Sequence, residues 1–193
     1  MTKTNRGESL ARKIFTWILR VSDGAAWLIL PICLVVLISV ALSAARVGIL
    51  LEWDSDFFLL GSKLTASSFG DIQWHLFGIM LMLTLSGTLA SDRHVRVDFV
   101  RQHMTDTQKA AFDLFGHLVF LMPLCIVMIY HGYDFTFRAY LMDDGSDYDG
   151  LYDRFFLKSF IPIGFIMLFA VGINLSLRCL KILLRSKRDR SNV

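Results

Sequence analysis

Charged side chains divide this sequence into four long uncharged stretches, at 24–45, 72–91, 114–133 and 159–177, of 22, 20, 20 and 19 residues. Apolar residues fill each stretch on all sides. The polar interruption every turn or two that marks an amphipathic soluble helix is missing, and so is the period-two alternation of strands. A hydrocarbon core about 30 Å thick takes about 20 helical residues at about 1.5 Å each. The pattern predicts an all-α membrane protein with four transmembrane helices. The spans run over about 24–45, 72–91, 112–133 and 159–180, in a single domain covering 1–193. The first stretch is too long, and starts too far from Met1, for a typical cleaved signal peptide.

The charges between the stretches set the expected orientation. Two groups of segments differ sharply: the ends and the middle connection carry a net +8, and the other two connections −5, which together give the chain's +3. The positive-inside rule then places both termini and the middle connection in the cytoplasm, with the loops near 46–71 and 134–158 outside.

Shorter patterns fill in the polar segments. Over 9–21, Leu10, Ile14, Trp17, Ile18 and Val21 share a helical face, with Arg12, Lys13 and Arg20 off it. This predicts an N-terminal interfacial amphipathic helix. Its apolar side would lie in the acyl boundary, with Arg12, Lys13, Trp17 and Arg20 at the lipid surface. A plain extension of the first span is the alternative; Ser22-Asp23-Gly24 is the expected break between the two helices. In the loop at 46–71, Trp53, Phe57 and Phe58 stand among Glu52, Asp54 and Asp56, which suggests an interfacial segment. Thr105 and Gln108 have the spacing of a capping box, so the third helix is expected to begin near Asp106.

Composition then narrows the function. Hydrophobic residues make up 54% of the chain and charged residues 19% against about 25% in soluble domains. The small net charge gives no case for nucleic-acid binding. The four stretches hold no Asp, Glu, Lys or Arg, although an autonomous ion-coupled transporter needs such groups at mid-membrane. Cys33, Cys125 and Cys179 read as small apolar residues with no disulfide expected. No phosphate loop, HExxH or GxSxG motif occurs, so an enzyme is not expected, and no cofactor is required. One chemical alternative stays open, a haem- or quinone-linked four-helix anchor using His75 and His131, which would lie at similar outer depth.

One constellation is richer than a connector needs. Gln73, Trp74, His75 and Phe77 open the second span, and Asp92, His94, Arg96 and Asp98 close it within Asp-Arg-His-Val-Arg-Val-Asp. In that closing turn Arg96 can pair with Asp92 or Asp98.

These residues resemble the small membrane subunit of tripartite ATP-independent periplasmic (TRAP) transporters. The likeness covers nearly the whole chain. It rests on four spans, the QWHLFG entry and DRHVRVD exit of the second, Pro123 in the third, and a passage with Ser146, Gly150, Leu151, Lys158, Pro162 and Gly164 leading into the fourth. The sequence departs from the pattern at Asp149, where a second glycine is common, and in lacking a glutamine in its fourth span. The resemblance implies a non-catalytic scaffold in a bacterial inner membrane, paired with a large permease that carries the solute and sodium sites. A periplasmic solute-binding protein would deliver the solute, commonly an organic acid. It further implies structural or interface roles for Gln73, Trp74, His75, Phe77, Asp92, His94, Arg96, Asp98, Lys158 and Pro162. The acidic outer loop, with Asp143, Asp144, Asp147 and Asp149, becomes a docking surface for the binding protein or else a solvated turn.

Overall fold

A computed structural model of the chain describes residues 3–57, 61–91, 103–142 and 155–191. Its elements in order are α1 (Lys3–Ala26), α2 (Ile29–Ala44), a hairpin of β1 (Ile49–Phe57) and β2 (Gly61–Thr65), and α3 (Ala66–Ala90). After the middle connection come α4 (Asp106–Gly116), a π turn (His117–Leu121), α5 (Met122–Leu141), α6 (Phe155–Lys158) and α7 (Phe160–Ser191). Among the described residues four helical stretches are long and apolar enough to cross a membrane, as the charge gaps predicted.

The first span is bent, and not where the sequence suggested. The helix runs straight through Ser22-Asp23-Gly24 and breaks at Trp27-Leu28. Pro31 explains the position: it has no N–H for the Trp27 carbonyl four residues back, and its ring crowds that carbonyl. Trp27 O accepts instead from Leu30 N at 3.1 Å, while Trp27 N and Leu28 N donate to Gly24 O and Ala25 O at 3.2 and 3.0 Å. The 16 residues of α2 span about 24 Å, short of a hydrocarbon core of about 30 Å. The last turns of α1 therefore complete the crossing. The apolar face expected over 9–21 is also divided: Ile18 is buried, whereas Ile14 and Trp17 are exposed, Trp17 at 60%.

The segment after α2 is a β-hairpin rather than a loop. Helix α2 closes with Arg46 in the left-handed region (φ 55°), Arg46 N donating to Ser43 O and Val47 N to Leu42 O. This is the two-bond Schellman closure, made here without its usual glycine. The strands pair antiparallel, with Glu52 opposite Lys63 and Ile49 opposite Thr65. Helix α3 then starts six residues before the expected 72. Thr65 Oγ1 accepts from Ser68 N, and Thr65 N donates to Ser68 Oγ, both at 3.2 Å. Serine replaces the Glu or Gln usual at that capping position, which hid the signal.

The third helix begins where its motif predicted. Gln108 N donates to Thr105 Oγ1 at 3.4 Å and Thr105 N to Gln108 Oε1 at 2.9 Å. Replacing Thr105 with Ala should cost about 1 kcal/mol of local helix stability. Hydrogen exchange at the amides of α4's first turn is expected to speed up about fivefold, and unchanged exchange would show that the cap does not hold this end. Further on, Pro123 cannot donate to Val119, and the chain opens into the π turn immediately before it.

Helix α7 is the centre of the molecule. It packs against α3, α4 and α5, while α1 and α2 pack chiefly on α3. Its apolar stretch is 39% buried, against 6–11% for the other three. The spans thus form an open row, α2–α3–α7–α5, with most side chains of the outer helices facing out. Two small cores mark the seams: Ile18, Met167 and Val171 between α1 and α7, and Cys125, Phe165 and Leu168 between α5 and α7. Glycines set the closest approaches. A Cβ at Gly164 would sit 2.8 Å from both Cβ and O of Met82, and one at Gly87 would overlap the Ser22 side chain. Small residues serve this purpose in lipid, where contact and not hydrophobic exclusion holds helices together.

Candidate functional site

The N-terminal half of α3 carries the first group of predicted residues. His75 uses Nδ1 to donate to Asp71 O of its own helix at 2.6 Å. Trp74 is 70% exposed and Phe77 is exposed beside it, while Gln73 is half-buried. These residues form an aromatic edge pointing away from the chain's own helices. His131, the other histidine of the haem alternative, is exposed on α5, with its ring edge-on to Tyr130 at 5.2 Å. Helix α7 packs against both α3 and α5, which carry the two histidines. Among the described residues no group of three or more His, Cys, Asp or Glu could hold a metal ion.

Lys158 and Pro162 fasten the start of α7 to α5. The Lys158 ammonium lies 4.4 Å from the centre of the Phe135 ring. Tyr140 and Phe155 meet edge to face at 5.2 Å. Pro162 lies against Gly132, 3.4 Å from where a Cβ there would stand. Asp134 and Arg138 form a 2.7 Å ion pair one turn apart in the same C-terminal half of α5. Their spacing was legible in the sequence as a helical i,i+4 pair, once the helix was known to continue past 133.

At the other end, Arg12, Lys13 and Arg20 are exposed on α1. The Arg178 guanidinium stacks 4.8 Å over the Phe15 ring, joining α1 to α7. Thr107 and Ser186 share a 3.1 Å hydroxyl contact that ties α4 to the extension of α7 beyond the predicted 180. Sequence reasoning missed both links, since each joins residues far apart in the chain. Asp92, His94, Arg96 and Asp98, together with Asp143, Asp144, Asp147 and Asp149, lie outside the described residues.

The interior of the spans holds few polar groups, and besides the hydroxyls below the Nδ1 atom of His117 is buried in the π turn. The buried polar residues described are Ser22, Thr65, Ser68, Ser86 and Ser176. Ser22 donates across to Thr84 O at 3.3 Å, Ser86 to Leu83 O and Ser176 to Gly172 O. None is ionisable in the physiological range, and each hydroxyl is satisfied by a backbone carbonyl or a neighbouring hydroxyl. Such an interior can brace helices, but it offers no charge to bind or release an ion at mid-membrane.

A family model for the DctQ component of tripartite ATP-independent periplasmic transporters matches residues 58–181. The match takes in α3 to most of α7, and leaves α1, α2 and β1 before it. No curated protein sequence matches the chain.

Proposed function

The chain belongs to the DctQ component family of the tripartite ATP-independent periplasmic transporters, and on that premise we propose that it is the static scaffold of a sodium-coupled importer. As a small permease subunit of a TRAP transporter, it is a multi-pass protein of the bacterial inner membrane and not an enzyme. In the proposed assembly a large permease binds solute and sodium and moves in an elevator-like way. A periplasmic binding protein delivers the solute, an organic acid. The observation that carries the scaffold role is the row of spans whose four uncharged stretches hold no Asp, Glu, Lys or Arg and whose described buried polar residues are serines and a threonine. Both termini lie inside, as the +8 and −5 division of charge favours.

The open row supports a large partner as well. Trp27 at the break, Leu30, Leu34, Leu37 and Val40 of α2, and Leu124, Ile126, Val127 and Tyr130 of α5, are exposed. Lipid can cover such faces, but so can another polypeptide, and an open row leaves both sides available. The turn with Asp92, His94, Arg96 and Asp98 is assigned to holding the assembly at the cytoplasmic side. Asp143, Asp144, Asp147 and Asp149 are assigned to binding-protein docking.

Affinity purification from native membranes tests the reading. The tagged chain is expected to retain a many-span polypeptide in mild detergent, and Arg96→Ala or Asp98→Ala to lower its recovery at least fivefold. Recovery unchanged by both variants would remove the turn from assembly. Recovery of no large membrane protein at all would remove the scaffold reading.

A further inference from the structure

A groove runs between α1 and α7, lined by Ile14, Phe15 and Ile18 on one side and Ala170, Ile173 and Leu177 on the other. Its volume is about 210 Å³, and Asn174 is its polar lining residue. The depth of the groove follows from the charge pattern. Ala170 to Leu177 form the last two turns of the uncharged fourth stretch, and Arg178 opens the basic run that follows. The apolar trough therefore lies at the edge of the hydrocarbon, and its end lies at the headgroups.

Cations stand at that end. The Arg178 guanidinium covers the Phe15 ring, and Phe15 is itself a wall of the groove. Stacking uses the flat face of a guanidinium and leaves its in-plane N–H edge for a planar or tetrahedral oxyanion. Among the described residues Arg178 forms no ion pair with a carboxylate. Arg12, one turn before Phe15, is exposed and adds a second cation on the α1 side. An occupant must join a hydrocarbon chain to an anionic head at this depth.

We propose that this groove is a binding site for an anionic phospholipid, with an acyl chain between α1 and α7 and the phosphate on Arg178. A dry apolar trough opening sideways into a bilayer fills with hydrocarbon, and basic residues at its cytoplasmic end select anionic heads. The lipid would also cover the groove side of the seam that Ile18 and Val171 close. Placement in the inner leaflet rests on the orientation proposed above; the binding itself does not.

Native mass spectrometry of the full chain, purified in mild detergent and supplied with phosphatidylglycerol or phosphatidylcholine of the same acyl chains, tests the site. The wild type is expected to retain one phosphatidylglycerol in preference to phosphatidylcholine. Arg178→Gln should cut that preference about fivefold, and Arg178→Lys should keep most of it. Ile173→Trp, which fills the trough from an exposed position, should abolish retention of both lipids with the helical circular-dichroism signal unchanged. Equal retention of the two lipids by the wild type overturns the proposal. So does a preference that survives Arg178→Gln, or a polypeptide found cross-linked in the groove in place of lipid. Lipid retention is read without the large permease, so its failure leaves the scaffold reading standing.

Discussion

Proteoliposomes holding this chain alone, under an inward sodium gradient, are expected to take up no organic acid above protein-free vesicles. Uptake should rise at least tenfold over that background only when the large permease and the binding protein are added. The expectation follows from the spans themselves. Coupling solute to sodium needs groups that exchange ligands or charge within the membrane, and such groups are costly there and hence easily seen. Here the four uncharged stretches offer no Asp, Glu, Lys or Arg, and the described buried hydroxyls are already bonded within or between the helices. The ion pair of Asp134 with Arg138 is exposed near the C-terminal end of α5 and bridges a single turn. Saturable, sodium-dependent uptake by the chain alone would overturn the scaffold role. Labelled-solute filtration assays on the two kinds of vesicle give the comparison directly.

Gly164→Leu is expected to be the most damaging single substitution in the α3–α7 seam. A Cβ at this position meets the Met82 backbone carbonyl at 2.8 Å, and a backbone atom cannot swing aside as a side-chain tip can. The helices must part, which withdraws contact from Met82, Leu85 and Leu89 against Phe165 and Leu168. Overpacking of this kind costs about 3 kcal/mol. Size-exclusion chromatography in detergent should show the monodisperse fraction falling at least tenfold. Gly164→Ala should fall in the same direction by less. Gly78→Ala is the internal control, since a Cβ there meets nothing within 4 Å and removing a helical glycine gains about 1 kcal/mol. Equal monodisperse yields of the Gly164→Leu variant and the wild type would show that the α3–α7 approach is looser than described.

Particular residues show how far the sequence could be read. The Thr105–Gln108 box started its helix within one residue, because a cap is a local pattern with one dominant geometry. The box at Thr65 escaped notice since its partner is Ser68. Ser22-Asp23-Gly24 looked like a break, yet Gly24 stays helical and the bend falls where Pro31 removes a donor. The stretch from Ile49 to Phe57 mixes apolar and acidic residues without clean alternation, so its strand character emerged only with β2 paired beside it. Trp17 and Ile18 were placed on one apolar face. Packing separated them, since a helix in contact with both lipid and protein has two apolar sides.

The sequence by itself determined that the chain has four spans, where its charge asymmetry lies, and which family it resembles. These are sums over residues: the transfer of a 20-residue segment into hydrocarbon depends on its content, whatever its neighbours are. The tertiary structure alone decided that α7 is the central helix, that α1 crosses α3 at Ser22 and Gly87, and that a groove opens beside Phe15 and Arg178. Lipid tails are as apolar as leucine, so a helix face turned to lipid and one turned to protein carry nearly the same residues. What separates them is distance between backbones, and distance is a property of pairs.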